Sequence, residues 1–296
     1  MLLNGGATST FGTNAKKSDS WISNEQMRNA QLTIDGGKTL TLSGTVMTGG
    51  TVTDNGLIHV TGDSAINSAA VNGGQVTVDP TRTLTLDNTT VTGTTIADNG
   101  TVKVDAARTL NLGGVALSGG AIVNLGTIDI IGNSSISNDV LSNTGQLKAI
   151  NNSILELTNT IVANLGGAIT VTSGSTLDLD NGASISDGTL GNAGEVNAEG
   201  TTGLHHVGIT NSGTLESTGG VLTIDGGSSI NNSGTLQANG GELDLTNDTL
   251  NKTNALKVIH KNHLERTNTI VCNLCGAITG TGGSTPEPDT GARISA

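Results

Sequence analysis

Pairs of apolar residues separated by one polar residue recur along the chain, as in Ile58-x-Val60, Val76-x-Val78, Val102-x-Val104 and Ile128-x-Ile130. A period of two places both apolar side chains on one face of a β-strand. Aligned on the first residue of each pair, the series runs Leu32, Ile58, Val76, Val102, Ile128, Leu147, Ile169, Val196, Leu215 and Leu236. Glycine stands two places earlier at Gly56, Gly74, Gly100, Gly126, Gly145, Gly167, Gly194, Gly213 and Gly234, and only Ala30 breaks the row. Four places earlier stand Asp54, Asn72, Asp98, Asn124, Asn143, Asn192, Asn211 and Asn232. A second apolar pair follows after a turn, beginning at Leu40, Ile66, Leu84, Leu110, Ile136, Leu155, Leu177 and Leu204. In the last two units it begins one place sooner, as Leu222/Ile224 and Leu243/Leu245.

Repeats of 18–27 residues built from short strands are the mark of a solenoid, in which each turn buries its apolar face only against its neighbours. The pattern predicts an all-β fold, a parallel β-solenoid of about ten rungs, each rung one strand spacing from the next. Helix is disfavoured, because glycine and β-branched residues are poor helix formers. The glycines are expected at tight bends with positive φ. The Asn/Asp residues before them suit turns and are expected to stack as one ladder at one corner. The boundaries read as an irregular lead-in at 1–31, repeats at 32–250, and a degenerate copy with a polar tail at 251–296.

The tail reads as a copy because TNTIVANLGGAIT at 158–170 returns as TNTIVCNLCGAIT at 267–279. In that alignment Asn143, Gly145, Ile154 and Leu157 give way to Lys252, Asn254, His263 and Arg266. Burying an unpaired charge is costly, so Arg266 and His263 are expected outside the core. The last intact rung would then offer an open edge.

Composition sharpens the picture. Of 296 residues 44 are glycine, and the only aromatic residues are Phe11 and Trp21. The core must therefore be aliphatic, which argues against a conventional enzyme core, where aromatic rings bury much of the area. The net charge is −12. Residues 1–250 hold 8 basic and 22 acidic side chains, and the remainder hold 5 and 3. An acidic body repels phosphate backbones, so nucleic acid is not an expected partner. No apolar run reaches membrane-spanning length. The first residues show neither the charged nor the apolar region of a signal peptide, so export by another route, or a piece of a longer protein, is the expectation.

Asn211-Ser-Gly-Thr-Leu-Glu-Ser-Thr-Gly-Gly-Val-Leu-Thr-Ile-Asp and its relatives across 32–250 resemble the large repetitive surface and secreted proteins of Gram-negative bacteria. Those include filamentous-haemagglutinin-like adhesins and autotransporter passengers. The resemblance implies a right-handed β-helix stalk, an extracellular or cell-surface location, and adhesion to a glycan or protein receptor. End-to-end self-association is a second expected partnership. The aromatic-rich membrane barrel of an autotransporter has no counterpart here.

Candidate chemistry is sparse. His260, His263, Cys272 and Cys275 offer two nitrogens and two sulfurs to a zinc ion. Their aligned counterparts are Asn151, Ile154, Ala163 and Gly166, so drift accounts for them, and a disulfide or free thiols are expected instead of metal. Gly62-Asp63-Ser64 resembles the nucleophile block of one esterase family, but Gly132-Asn133-Ser134 is its equivalent, and both read as turns. His205 and His206 are candidate bases, with His206 falling on an apolar slot. Asp178/Asp180 and Glu242/Asp244 place carboxylate pairs on outward strand faces, the arrangement parallel β-helix hydrolases and lyases use; solvated acidic faces are the plainer reading. The Thr39/Thr41, Thr51/Thr53 and Thr83/Thr85 pairs do not recur at one position, which argues against an ice-binding face. The function expected is a structural or adhesive segment without catalysis or cofactor. The alternative is a glycan-active β-helix enzyme or a tailspike-like carbohydrate-binding module.

Overall fold

The structure, a computed structural model, describes residues 2–4, 8–10, 20–253, 256–259, 263–267, 269–273, 278–280 and 294–295. Every helix or strand assigned among them is a β-strand, and the strands form a parallel β-solenoid. The chain divides into two compact units, Met1–Gly145 and Gln146–Ala296.

In the first unit most turns of chain are three short strands, although Gln26–Ile34 and Val46–Asp54 are longer strands that pair with each other. Leu57–Val60, Ser64–Asn67 and Ala70–Asn72 make one turn, and Gln75–Val78, Thr83–Asp87 and Thr89–Thr92 make the next. Each strand pairs in parallel with its counterpart, Ile58 with Val76, Ile66 with Leu86, Val71 with Val91. In the second unit the corner between two sides opens out. Glu195–His205 and Thr214–Asp225 are single long strands, paired along their whole length with one bulge at Ala198/Glu199. The inward residues are mostly Leu, Ile, Val and Ala, with Met27 and Met47 near the start, and Ile58, Val102, Leu177 and Leu222 are among the fully buried. Fully burying such a side chain contributes about 1.5–3 kcal/mol. Trp21 points to solvent, about half exposed.

Parallel pairing extends beyond the repeats read at 32–250. Leu2–Asn4 pairs with Ser20–Ser23, which pairs with Thr39–Ser43. At the other end His263–Thr267 pairs with Glu242–Thr246, and Ile270–Asn273 with Thr249–Lys252.

Four details differ from the sequence reading. First, the anchor residues do not form one column. One turn spans 18 residues from Ile58 to Val76 and 23 from Val162 to Ile185. The 26-residue step from Val76 to Val102 moves the motif to another side, because Val76 pairs with Ile96 while Val102 pairs with Leu84. All three sides use the same two-residue apolar pair, so the motif serves at any corner.

Second, the Asn/Asp residues accordingly form separate short ladders. Asn124 pairs with Asn143, and Asn192, Asn211 and Asn232 lie in successive register. Asp54 pairs with Ile34 and Asp98 with Val78, so neither has an Asn or Asp on that side. Asn72 lies between Thr53 and Thr92.

Third, the turn glycines answer to close approach. Of the nine, only Gly74 has a positive φ. At Gly100, Gly145 and Gly213 a Cβ would run into the carbonyl oxygens of Arg82, Gly126 and Gly194, far inside contact distance. The preceding turn passes where the side chain would be.

Fourth, Arg266 points into the core. It pairs with Leu245 and is 9% exposed, while Nε and Nη1 have no hydrogen-bond partner. The alternation that buries Leu264 buries Arg266 two residues later. The His263 side chain lies outside the described residues.

Candidate functional site

The polar side chains sort into those that hold the corners and those that face outward. At some corners the residue two before the glycine caps its N–H: Asp54 Oδ1 accepts from Gly56 at 2.8 Å, Asp98 Oδ1 from Gly100 at 3.0 Å, Asn124 Oδ1 from Gly126 at 3.1 Å. At Gly145, Gly213 and Gly234 the N–H donates instead to the backbone carbonyl of Asn124, Asn192 and Asn211 on the turn before. The stacked asparagines also bind one another. Asn124 Nδ2 donates to Asn143 Oδ1 at 2.6 Å. Asn192 donates to Asn211 at 2.8 Å and Asn211 to Asn232 at 2.7 Å, while each also reaches a carbonyl of the next turn, Thr214 or Thr235. These amides are buried, so the ladders satisfy groups that would otherwise be costly to bury. Burial raises the Asp98 carboxyl to about 6 against three backbone hydrogen bonds that lower it.

A second corner device was missed in the sequence. A residue in the left-handed conformation, such as Gly44, Asn88 or Asn247, is followed by a buried Thr, Ser or Asp. The signal was present as Ser43-Gly44-Thr45, Asp87-Asn88-Thr89 and Thr246-Asn247-Asp248. Thr45 Oγ1 donates to Ile22 O at 2.9 Å, Thr89 Oγ1 to Ile66 O at 2.7 Å and Thr269 Oγ1 to Leu245 O at 2.9 Å. The hydroxyl ties one turn to the turn before.

Ser64 takes the same corner position as Thr45 one turn on, without a left-handed residue before it. It is buried, its Oγ donates to Gly62 O at 2.8 Å, and it accepts from the Thr45 N–H at 3.2 Å. Asp63 accepts from the Thr83 N–H. Ser134 repeats the same bonds with Gly132 and Val115. Both segments are the turns their sequences suggest.

His206 does not fill an apolar slot. The long strand carries Thr202 and Leu204 inward, opposite Leu222 and Ile224, and His206 falls at the left-handed corner beyond it. There its ring is largely exposed and Nδ1 meets Asp187 Oδ1 at 2.8 Å. His205 faces outward, with Nδ1 2.6 Å from Asp225 Oδ1, and its ring lies over Gly203, filling the space a Cβ would need. In the first unit His59 Nε2 meets Asp79 Oδ1 at 2.7 Å. All three are exposed or half-exposed His–Asp pairs, and such pairs add little stability.

The carboxylates of the second unit gather on one outward side. Glu156, Asp178, Asn197, Glu216 and Gln237 stand in register on successive strands. Asp178 accepts from Asn197 Nδ2 at 3.0 Å, and Glu216 from Gln237 and Asn239. Asp180 is raised to about 6, by burial first and then by Asp178, Glu156 and Glu199. Asp178 is raised by burial, opposed by its bond from Asn197. Glu242 and Asp244 face outward as expected, between the buried Leu243 and Leu245. A shallow open groove crosses Gly191 between Thr170 and Thr210. No Thr pair continues as a pair on the next turn: Thr39 and Thr41 stand opposite Leu57 and His59, and Thr83 meets Thr101 but Thr85 meets Lys103.

Of the zinc candidates, His260 and Cys275 lie outside the described residues, as do the side chains of His263 and Cys272. Among the described residues no three His, Cys, Asp or Glu are placed to hold a metal ion, and no helix is long and apolar enough to cross a membrane. Neither a protein-family model nor a curated protein matches this sequence.

Proposed function

We propose that the chain is a structural or adhesive repeat segment of a bacterial surface or secreted protein, without catalysis. The observation that carries this reading is the division of labour among polar side chains. Most corner groups hold turn to turn, while the outward strand faces present polar side chains in register, as in the column Glu156, Asp178, Asn197, Glu216 and Gln237. Such faces suit recognition spread along many turns, the mode the resemblance to filamentous-haemagglutinin-like adhesins and autotransporter passengers implies. The test is retention of the purified chain on immobilised glycans and on extracellular-matrix proteins. Saturable retention lost on mutating one outward column supports adhesion; no retention on either class removes it.

A second reading, a glycan-active β-helix, is favoured by one observation. Asp178 and Asp180 share an outward strand, burial raises both carboxyls and takes Asp180 to about 6, and a carboxyl that keeps its proton nearer to neutral pH can serve as a general acid. Release of reducing ends from acidic and neutral polysaccharides, abolished by Asp180→Asn, would establish it in place of the first.

A further inference from the structure

The buried hydroxyl at the left-handed corner does two things at once. Its oxygen accepts the backbone N–H of the corresponding corner residue one turn earlier, and its proton goes to a backbone carbonyl. Ser228 shows both, accepting from Val207 N at 3.0 Å and donating to Asp225 O at 2.7 Å. Ser64 and Ser134 show both as well, at corners where no left-handed residue precedes them.

Asp139 and Asp248 occupy this slot. Asp139 follows the left-handed Asn138, Asp248 follows the left-handed Asn247, and both side chains are about 2% exposed. Oδ1 performs the accepting half, from Gly120 N at 3.1 Å for Asp139 and from Ser228 N at 2.8 Å for Asp248. Oδ2 of each is buried with no partner. An ionised carboxylate can only accept, so it leaves the donating half undone. The next residue of the Asp248 column is Thr269, which donates to Leu245 O. Leu245 pairs with Ile224, so the carbonyl equivalent for Asp248 is that of Ile224. By the same register, Leu117 opposite Ile136 supplies it for Asp139.

We propose that Asp139 and Asp248 stand in the folded chain as neutral carboxylic acids, Oδ1 accepting and Oδ2–H donating to a backbone carbonyl, which makes these two corners proton-dependent latches between turns.

The surroundings agree. The charged groups that act on these carboxyls are themselves acids: Asp98 on Asp139, and Asp225 and Asp244 on Asp248. Burial first, and these neighbours with it, raise each carboxyl from 3.8 to about 7, against backbone N–H groups that favour the charged form: Ser228 and Thr246 at Asp248, Gly119 at Asp139. Between those two values the folded chain holds protons that the unfolded chain has released. Stability contributed by the latch is therefore complete below about pH 4 and is lost as pH rises towards 7, with no further dependence above it. Each acid lowers the folding constant by up to about tenfold per pH unit across that window.

Asparagine reproduces the neutral acid, with Oδ1 to accept and Nδ2 to donate at every pH. Denaturant unfolding of the whole chain, followed from pH 4 to 8, should show Asp139→Asn and Asp248→Asn each flattening the fall in stability, with the variants the more stable at pH 8. Asp248→Asn is the cleaner test, since Asp139 is coupled to Asp98. Carbon-13 titration of the aspartate carboxyls in the unmutated protein is the second measurement. Carboxyl signals assigned to Asp139 and Asp248 through their asparagine variants, and still protonated at pH 6, support the latch; their ionisation by pH 5 overturns it. An unchanged pH slope in both variants overturns it as well.

Discussion

Within the second unit two adjoining regions share one backbone pattern and differ in what they bury. The turns through Asn192, Asn211 and Asn232 carry an amide ladder on one column and Leu or Ile on the neighbouring ones. The next turn continues both columns in register, with Lys252 below Asn232 and Arg266 beside Leu245. Lys252 is 1% exposed. Main-chain pairing thus propagates through a turn whose side chains no longer suit the core, because each strand needs only the edge of the strand before it. What the side chains decide is how much the added turn is worth. In a solenoid, stability is close to a sum over turns and their interfaces, so these two regions should respond to mutation in opposite directions.

The largest effect is expected from breaking the sound region. Asn211→Leu removes two buried amide bonds to Asn192 and Asn232 and one to the Thr235 carbonyl. It also leaves the Asn232 side-chain oxygen without this donor and takes one of its two acceptors from the Asn192 amide, which keeps the Thr214 carbonyl. The expected loss is about 3 kcal/mol, read from the denaturant midpoint, with amide exchange quickening first around residues 190–235. A loss below half a kcal/mol would show the ladder to be ornamental. Gly213→Ala tests the same turns through their backbones, since the new methyl would meet the Gly194 carbonyl. A cost of about 2 kcal/mol is expected, and Gly227→Ala, where nothing lies near the added carbon, separates crowding from the strain of positive φ.

How much of this was legible beforehand follows from the residues involved. The strands were legible because Leu177-x-Leu179 or Ile128-x-Ile130 can lie only one way on a half-buried sheet. Which side of the turn each strand occupies was not, because Val76 and Val102 carry the same local signature and stand on different sides. The glycines were found for a reason that holds at Gly74 alone; at Gly145 the cause is a neighbouring turn that a linear pattern does not display. The Thr and Asp corner device was written as short triplets, yet Thr45 looks like any polar turn residue until the Ile22 carbonyl is beside it. Arg266 was expected outside because its charge opposes burial, and the strand alternation outweighed that preference.

Repairing the weaker region should then stabilise. Arg266→Leu restores the residue type of the column and removes a buried guanidinium whose Nε and Nη1 lack partners. A gain of about 2 kcal/mol is expected, seen as slower proteolysis within 249–271 and a raised midpoint for the last turn. If the variant is less stable than the parent, the guanidinium is held by bonds that outweigh its burial.

The smallest effect is expected at Lys252, and it carries a sign that can be checked. Burial first, and the Arg266 charge after it, lower the Lys252 ammonium from its usual value of 10.5. A folded state that binds its proton less tightly than the unfolded state gains stability as pH rises from the folded value towards 10.5. The last turn should therefore tighten in mild alkali, opposite in direction to the loss at Asp248 over the acid-to-neutral range. Lys252→Asn would extend the amide column by one residue, in register with Asn232 and Asn273. It should add about 1 kcal/mol at neutral pH and abolish the alkaline gain. Because Lys252 has interactions of its own in this slot, the benefit is smaller than at Arg266. Arg266→Leu should lessen the alkaline gain without abolishing it, since burial remains after the neighbouring charge is gone. Hydrogen exchange at residues 249–252, measured on either side of pH 9, distinguishes the two variants. Identical alkaline behaviour in parent and Lys252→Asn would mean that the ammonium is solvated and the column ends at Asn232.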